Sequence, residues 1–131
     1  MRRFLAIAAL TVVAAALVPA HADGSPIVAS AGDRNANSFT TPVSVTPVGG
    51  PITFLNGDVQ PHGLASDDFG PNTRPWCDFF AKDHCPLFWA PVTDAGFRQN
   101  VVQGLDGLVS GVRYGFHCTL HPNMKGVLIA L

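Results

Sequence analysis

A chain of 131 residues, 47% apolar and 13% charged, with 13 glycines and 11 prolines, has room for one compact domain with its own core. The formal net charge is -1, and no Lys/Arg stripe is present of the kind that displaces counterions from phosphates, which argues against a nucleic-acid partner. Beyond the N-terminal segment, no apolar run reaches the roughly 18 to 20 residues of a membrane span.

The chain opens on Arg2 and Arg3, followed by a small and apolar run from Phe4 to Val18, then Pro19 and an Ala20-His21-Ala22 cleavage pattern. Residues 1–22 therefore read as a secretory signal peptide and residues 23–131 as the mature domain. Loss of Arg2 and Arg3 leaves 6 Lys/Arg against 9 Asp, a mature charge of -3 that also weakens any case for anionic membranes. The residues around the Arg pair match a twin-arginine signal poorly, so the ordinary secretory route is expected, and no Cys at the cleavage site invites lipidation. The product is expected outside the cytoplasm, periplasmic or secreted, and monomeric.

The mature segment shows no long amphipathic helix. Its apolar stretches are short, rich in Val, Ile, Thr and Phe, and punctuated by Gly and Pro, which reads as strands. In chain order these are Ile27 to Ser30, Phe39 to Thr46, Ile52 to Asn56, Gly63 to Ala65, Phe97 to Val102, Val112 to Cys118 and Gly126 to Leu131. Turns are expected at Gly49-Gly50-Pro51, Asn56-Gly57-Asp58 and Asp106-Gly107. About seven strands in a domain of this size imply an all-β Greek-key sandwich. The clearest alternation places Val112, Tyr114, Phe116 and Cys118 on one face, expected inward, and Arg113, Gly115 and His117 on the other.

Between the fourth and fifth expected strands, residues 66–96 form a long inserted loop with four prolines, both tryptophans and four phenylalanines. A loop of that length is usually functional or separately stapled. Cys77 and Cys85 both fall within it, whereas Cys118 ends an inward strand face, so the economical pairing is a Cys77–Cys85 disulfide with Cys118 left as a thiol. The alternative is that both loop thiols are buried or bind metal. Trp76, Phe79, Phe80, Phe88 and Trp89 are expected to form a small core under the loop.

After the sixth expected strand comes Cys118-Thr119-Leu120-His121-Pro122-Asn123-Met124, a C-x2-H-x2-M turn carrying a thiolate, an imidazole and a thioether. These soft and borderline donors suit copper cycling between two oxidation states, and a His2Cys site with a long axial Met is the blue-copper geometry. The second His is expected to be His62, contributed by a distant segment. Zinc is disfavoured because Met serves it poorly.

At these residues the chain resembles the cupredoxins, the small blue-copper proteins that include plastocyanin, pseudoazurin and amicyanin. The resemblance rests on Tyr114-x-Phe116-x-Cys118-x-x-His121-Pro122-x-Met124-x-Gly126 and on the upstream strand, Asn-x-Asp turn and His62, and the ligand-loop spacing is closest to amicyanin. It implies that His62, Cys118, His121 and Met124 hold one copper ion and that the protein carries single electrons between redox partners rather than acting as an enzyme. It further implies that His121 presents its ring edge to the surface through an apolar patch, for which Pro61, Pro122 and Phe88 or Trp89 are candidates. Two departures stand out. Gly63 occupies a position where many cupredoxins place an Asn that ties to the residue after the Cys, so Thr119 must find another partner, and the stapled loop is foreign to plastocyanin and amicyanin.

Other assignments are weaker. His117 points away from the inward face and is expected to be an exposed strand residue rather than a lead to a second metal, and His84 is expected to be solvated. A cysteine nucleophile at Cys118 needs an open cleft, which an inward strand face does not offer. The rival functions are extracytoplasmic copper sequestration or delivery and a cupredoxin-like interaction module without metal.

Overall fold

The computed structural model describes residues 24–29, 38–81 and 83–131. The assignment of residues 1–22 to a signal peptide, and Ser30 at the end of the first expected strand, lie outside the described residues. No helix among those described is long and apolar enough to cross a membrane.

Eight strands are described: β1 (Ile27–Ala29), β2 (Val43–Thr46), β3 (Thr53–Asn56), β4 (His62–Ser66), β5 (Trp89–Thr93), β6 (Arg98–Val101), β7 (Arg113–His117) and β8 (Lys125–Ala130). They form a three-stranded sheet in the order β1-β3-β6 and a five-stranded sheet in the order β2-β8-β7-β4-β5. β1 runs parallel to β3 and β2 to β8, the remaining pairs being antiparallel. Consecutive strands pass repeatedly from one sheet to the other, as the expected sandwich requires. Ile27, Phe54, Leu64, Phe88, Phe116, Leu128 and their neighbours fill the space between.

The alternation in β7 is realised: Tyr114, Phe116 and Cys118 are buried, while Gly115 and His117 are half-buried on the other face. Val112 departs from the expectation. It precedes the strand in a turn closed by its own N–H on the Val109 carbonyl, and it is exposed. Opposite Phe116 in the β7–β8 pair stands Gly126, where a Cβ would run into the Phe116 ring.

The long loop expected over residues 66–96 needs correction, because its last part is β5, paired with β4 through Leu64↔Ala90 and Ala65↔Trp89. Pro91 disguises this strand in the sequence. It is tolerated because β5 is the outer strand of its sheet, where a missing N–H breaks no ladder. The rest of the segment is stapled by the Cys77–Cys85 disulfide and bonded to the body by Gly70 N–H to Cys85 O and Leu87 N–H to Asp68 O.

The aromatic cluster divides. Phe88 belongs to the main core and Trp76 is buried with its indole N–H on the Pro86 carbonyl, whereas Phe79 is 74% exposed. Phe79 stacks on Trp89 at 5.6 Å between ring centroids, and Trp89 stacks in turn against Trp76 at 6.4 Å. A surface stack, rather than a closed small core, is the result.

Candidate metal centre

Antiparallel pairing sets the start of β4 beside the end of β7, with Ala65 opposite His117. His62 opens β4 and Cys118 follows β7, so residues 56 apart in sequence meet at one end of the sandwich. The β7–β8 connection is a tight turn closed by Cys118 N–H to Met124 O and Met124 N–H to His121 O, both 2.9 Å. These two bonds fold the C-x2-H-x2-M segment back on itself, which returns His121 towards Cys118. A register irregularity between His62 and Leu64 interrupts the β4–β5 ladder at the site, a place where strands commonly re-aim a side chain.

The outcome is a triangle of donor atoms. Cys118 Sγ lies 3.6 Å from His62 Nδ1 and 3.6 Å from His121 Nδ1, and the two Nδ1 atoms are 3.2 Å apart. With metal–nitrogen bonds of about 2.0 Å and metal–sulfur bonds of about 2.3 Å, three donors around one ion stand roughly 3.3 to 3.7 Å from one another. The two sulfur–nitrogen separations fall within that range, and the nitrogen–nitrogen separation of 3.2 Å is about 0.1 Å short of it. His62 and Cys118 are fully buried, His121 is half-buried, and Met124, at the end of the turn, is buried. Two imidazoles and a thiol converging in this way, with a thioether in the same turn, form a soft donor set that fits copper in both oxidation states.

Behind His62 stands a residue that no sequence pattern singles out. Asp58 Oδ2 lies 2.9 Å from His62 Nε2, with both side chains at 0% exposure. Burial raises the Asp58 pKa, but the hydrogen bond with His62, the Val59 N–H, the nearby imidazole charge and the Gln60 N–H outweigh it and hold the carboxyl below its ordinary value. Asn56-Gly57-Asp58 reads in sequence only as a turn. The available signal was the placement of a carboxylate four residues ahead of the expected ligand His62.

Other expected residues fall elsewhere. His117 stays on the opposite face of β7, half-buried, its Nδ1 2.6 Å from Asp67 Oδ1. His84 is exposed, with its ring edge-on to Phe69 at 5.1 Å. Thr119, expected to find a substitute partner, has its Oγ1 buried with no hydrogen-bond partner among the described residues. It sits where a Cβ on Gly63 would have to go, so glycine at this position lets β4 and the ligand turn approach closely. Phe88 lies in the core and drops out of the expected surface patch, while Pro61 and Pro122 are exposed.

No protein-family model matches the chain, and no curated protein matches it in sequence. Among solved structures, it is similar to a purple cupredoxin from Nitrosopumilus maritimus, at 19% identity and a TM-score of 0.56 over 82% of this chain and 99% of that one. An amicyanin variant in its Cu(I) form is similar at 17% identity and a TM-score of 0.54, covering 81% and 80% of the two chains. A copper-containing nitrite reductase from Thermus scotoductus matches at 23% identity and a TM-score of 0.54, over 93% of this chain and 25% of that one. The chain therefore has the cupredoxin fold.

Proposed function

We propose that this chain is an exported type 1 copper protein that carries single electrons between redox partner proteins, with His62, Cys118, His121 and Met124 as the ligands of one ion. The observation that carries this reading is the donor triangle of His62 Nδ1, Cys118 Sγ and His121 Nδ1, at 3.2 to 3.6 Å spacing, built on a cupredoxin fold. A bound copper ion supplies one-electron exchange between Cu(I) and Cu(II). The chain contributes rigidity: His62 is anchored by a buried carboxylate and Cys118 by a backbone bond to Met124, so the ligands move little when the charge at the site changes.

His121 is the most accessible of the four residues, flanked by exposed Leu120 and Pro122, and serves as the electron port. Copper storage or delivery is less well supported, since Met124 is the only methionine after residue 1 and neither His84 nor His117 joins the cluster. A metal-free interaction module is disfavoured by the presence of all four donor residues. The nitrite reductase is an enzyme, but this chain matches only a quarter of it, and the described residues hold a single His/Cys cluster. A carrier accounts for that cluster alone.

The carrier role is tested by self-exchange. In mixtures of the Cu(I) and Cu(II) forms, proton NMR lines near the site are expected to broaden in proportion to the oxidised fraction, with copper retained against a competing chelator. Slow exchange with rapid loss of copper to the chelator would instead identify a delivery protein.

A further inference from the structure

Between the stapled loop and the ligand turn lies an apolar groove of about 390 Å³, lined by Phe79, Phe80, Trp89, Pro91, Val92 and Leu120. Neither the core nor the donor triangle uses the outermost of these side chains: Phe79 is 74%, Val92 50% and Leu120 47% exposed. Apolar groups scattered singly over a surface need no explanation, whereas a continuous apolar concavity marks a place that receives another molecule.

The exposed ring of Phe79 is held rather than loose. The Cys77–Cys85 disulfide fixes the start of the short turn Cys77–Phe79, and buried Trp76 anchors it from below. Phe79 N–H donates to Trp76 O at 3.1 Å and Phe80 N–H to Cys77 O at 3.0 Å. Phe79 lies within 19° of the plane of Trp89, and Phe80 meets the same indole edge-on at 6.3 Å. An aromatic side chain already ordered in this way loses little conformational freedom when covered, which suits it to anchor an interface.

Charge selects the occupant. Residues 66–96 carry Asp67, Asp68, Asp78, Asp83 and Asp94 against Arg74 and Lys82, a net of -3 with histidine neutral. All five Asp are exposed, and Arg74 is engaged by Asp106 at 2.9 Å. Asp78 directly precedes Phe79, and Asp94 directly follows β5. A second copy of this chain brings the same negative charge and is opposed by it. A basic surface is attracted and steered.

We propose that the groove between the stapled loop and the ligand turn is the docking site of a redox partner protein that presents an apolar projection ringed by Lys and Arg. The redox role of that partner rests on the carrier reading, but the surface itself does not depend on bound copper. Leu120 lines the groove and precedes His121, so a protein seated there lies beside the electron port.

The probe is a cytochrome c with lysines around its exposed haem edge, compared with the same protein succinylated to reverse those charges. Reduced cytochrome c is added at low ionic strength to the full-length 15N-labelled wild type, metal-free and Cu(I)-loaded. Shifts are expected at the amides of Phe79, Phe80 and Leu120 and at the Trp89 indole N–H, and are expected to vanish with the succinylated probe. In stopped-flow mixing, Phe79→Ser, which leaves all four donor residues in place, is expected to slow electron exchange with cytochrome c about tenfold while exchange with ferricyanide stays unchanged.

Shifts confined to the Pro61 and Pro122 side of His121, or no shifts, would overturn the proposal, and that measurement needs no variant to fold. Equal shifts with the succinylated probe would overturn the choice of a basic partner. Groove shifts that grow with protein concentration in the absence of cytochrome c would replace the partner by a second copy. A wild type that shows the expected shifts but binds no copper would defeat the carrier reading and leave the groove as a docking site for a basic protein.

Discussion

Replacing Cys118 by Ser is expected to abolish the intense visible charge-transfer band of the copper-loaded protein while the fold survives. Cys118 is fully buried at one corner of the donor triangle, and no other free cysteine is present to take its place. A serine hydroxyl does not ionise near neutral pH, so the anionic sulfur donor is lost outright, leaving two imidazoles and a thioether. Copper affinity should fall by more than the roughly 10- to 100-fold that loss of an outer hydrogen-bond partner costs. The fold is affected far less. A buried hydroxyl costs about 1 to 3 kcal/mol if unpaired, and His62 Nδ1, 3.6 Å from the present sulfur, offers it an acceptor. Visible spectra, copper competition and thermal melts of the variant measure the two effects separately; an undiminished band would show that Cys118 is not a ligand.

Truncation of Phe116 to Ala is expected to cost about 3 to 5 kcal/mol, the largest stability loss anticipated for a single residue here. The side chain is 0% exposed and meets Phe39 edge-on at 4.9 Å between ring centroids. Opposite it, Gly126 supplies the room for the ring: a Cβ there would stand 2.7 Å from Cε2 and 3.0 Å from Cε1. Truncation leaves a cavity bounded by paired strands that cannot easily collapse, which places the cost in the upper part of the range for core deletions. Because Phe116 lies two residues before Cys118 on the same face of β7, the ligand turn should loosen too. Urea unfolding of the metal-free protein measures the stability, and a loss under about 1 kcal/mol would mean the ring is not packed as described.

Much of the centre was legible in the sequence because most of it is local. Cys118, His121 and Met124 sit in one seven-residue turn, and the alternation of Tyr114, Phe116 and Cys118 shows which way the strand faces. His62 lies far away in the chain and was reached through the need for a second imidazole and the resemblance to cupredoxins. The structure brings it to the turn through the antiparallel pairing of β4 with β7. What escaped the sequence depends on position in the sheet and on distant contacts. Pro91 hides β5 because proline usually ends a strand, and only the outer place of β5 makes it harmless. Val112 continues the apolar alternation but falls one residue before β7 begins, and it is left partly exposed. Asp58 looks like part of a turn because its meaning comes from burial beside His62, which no local pattern encodes. The aromatic loop offered five similar candidates, and packing alone separates core Phe88 from exposed Phe79.

Stoichiometric titration of the purified protein with Cu(II), followed by visible absorption, addresses the central claim most directly. An intense thiolate-to-copper band that saturates at one equivalent is the expected result. Faint ligand-field absorption alone, or no binding, would contradict a copper centre built from His62, Cys118, His121 and Met124.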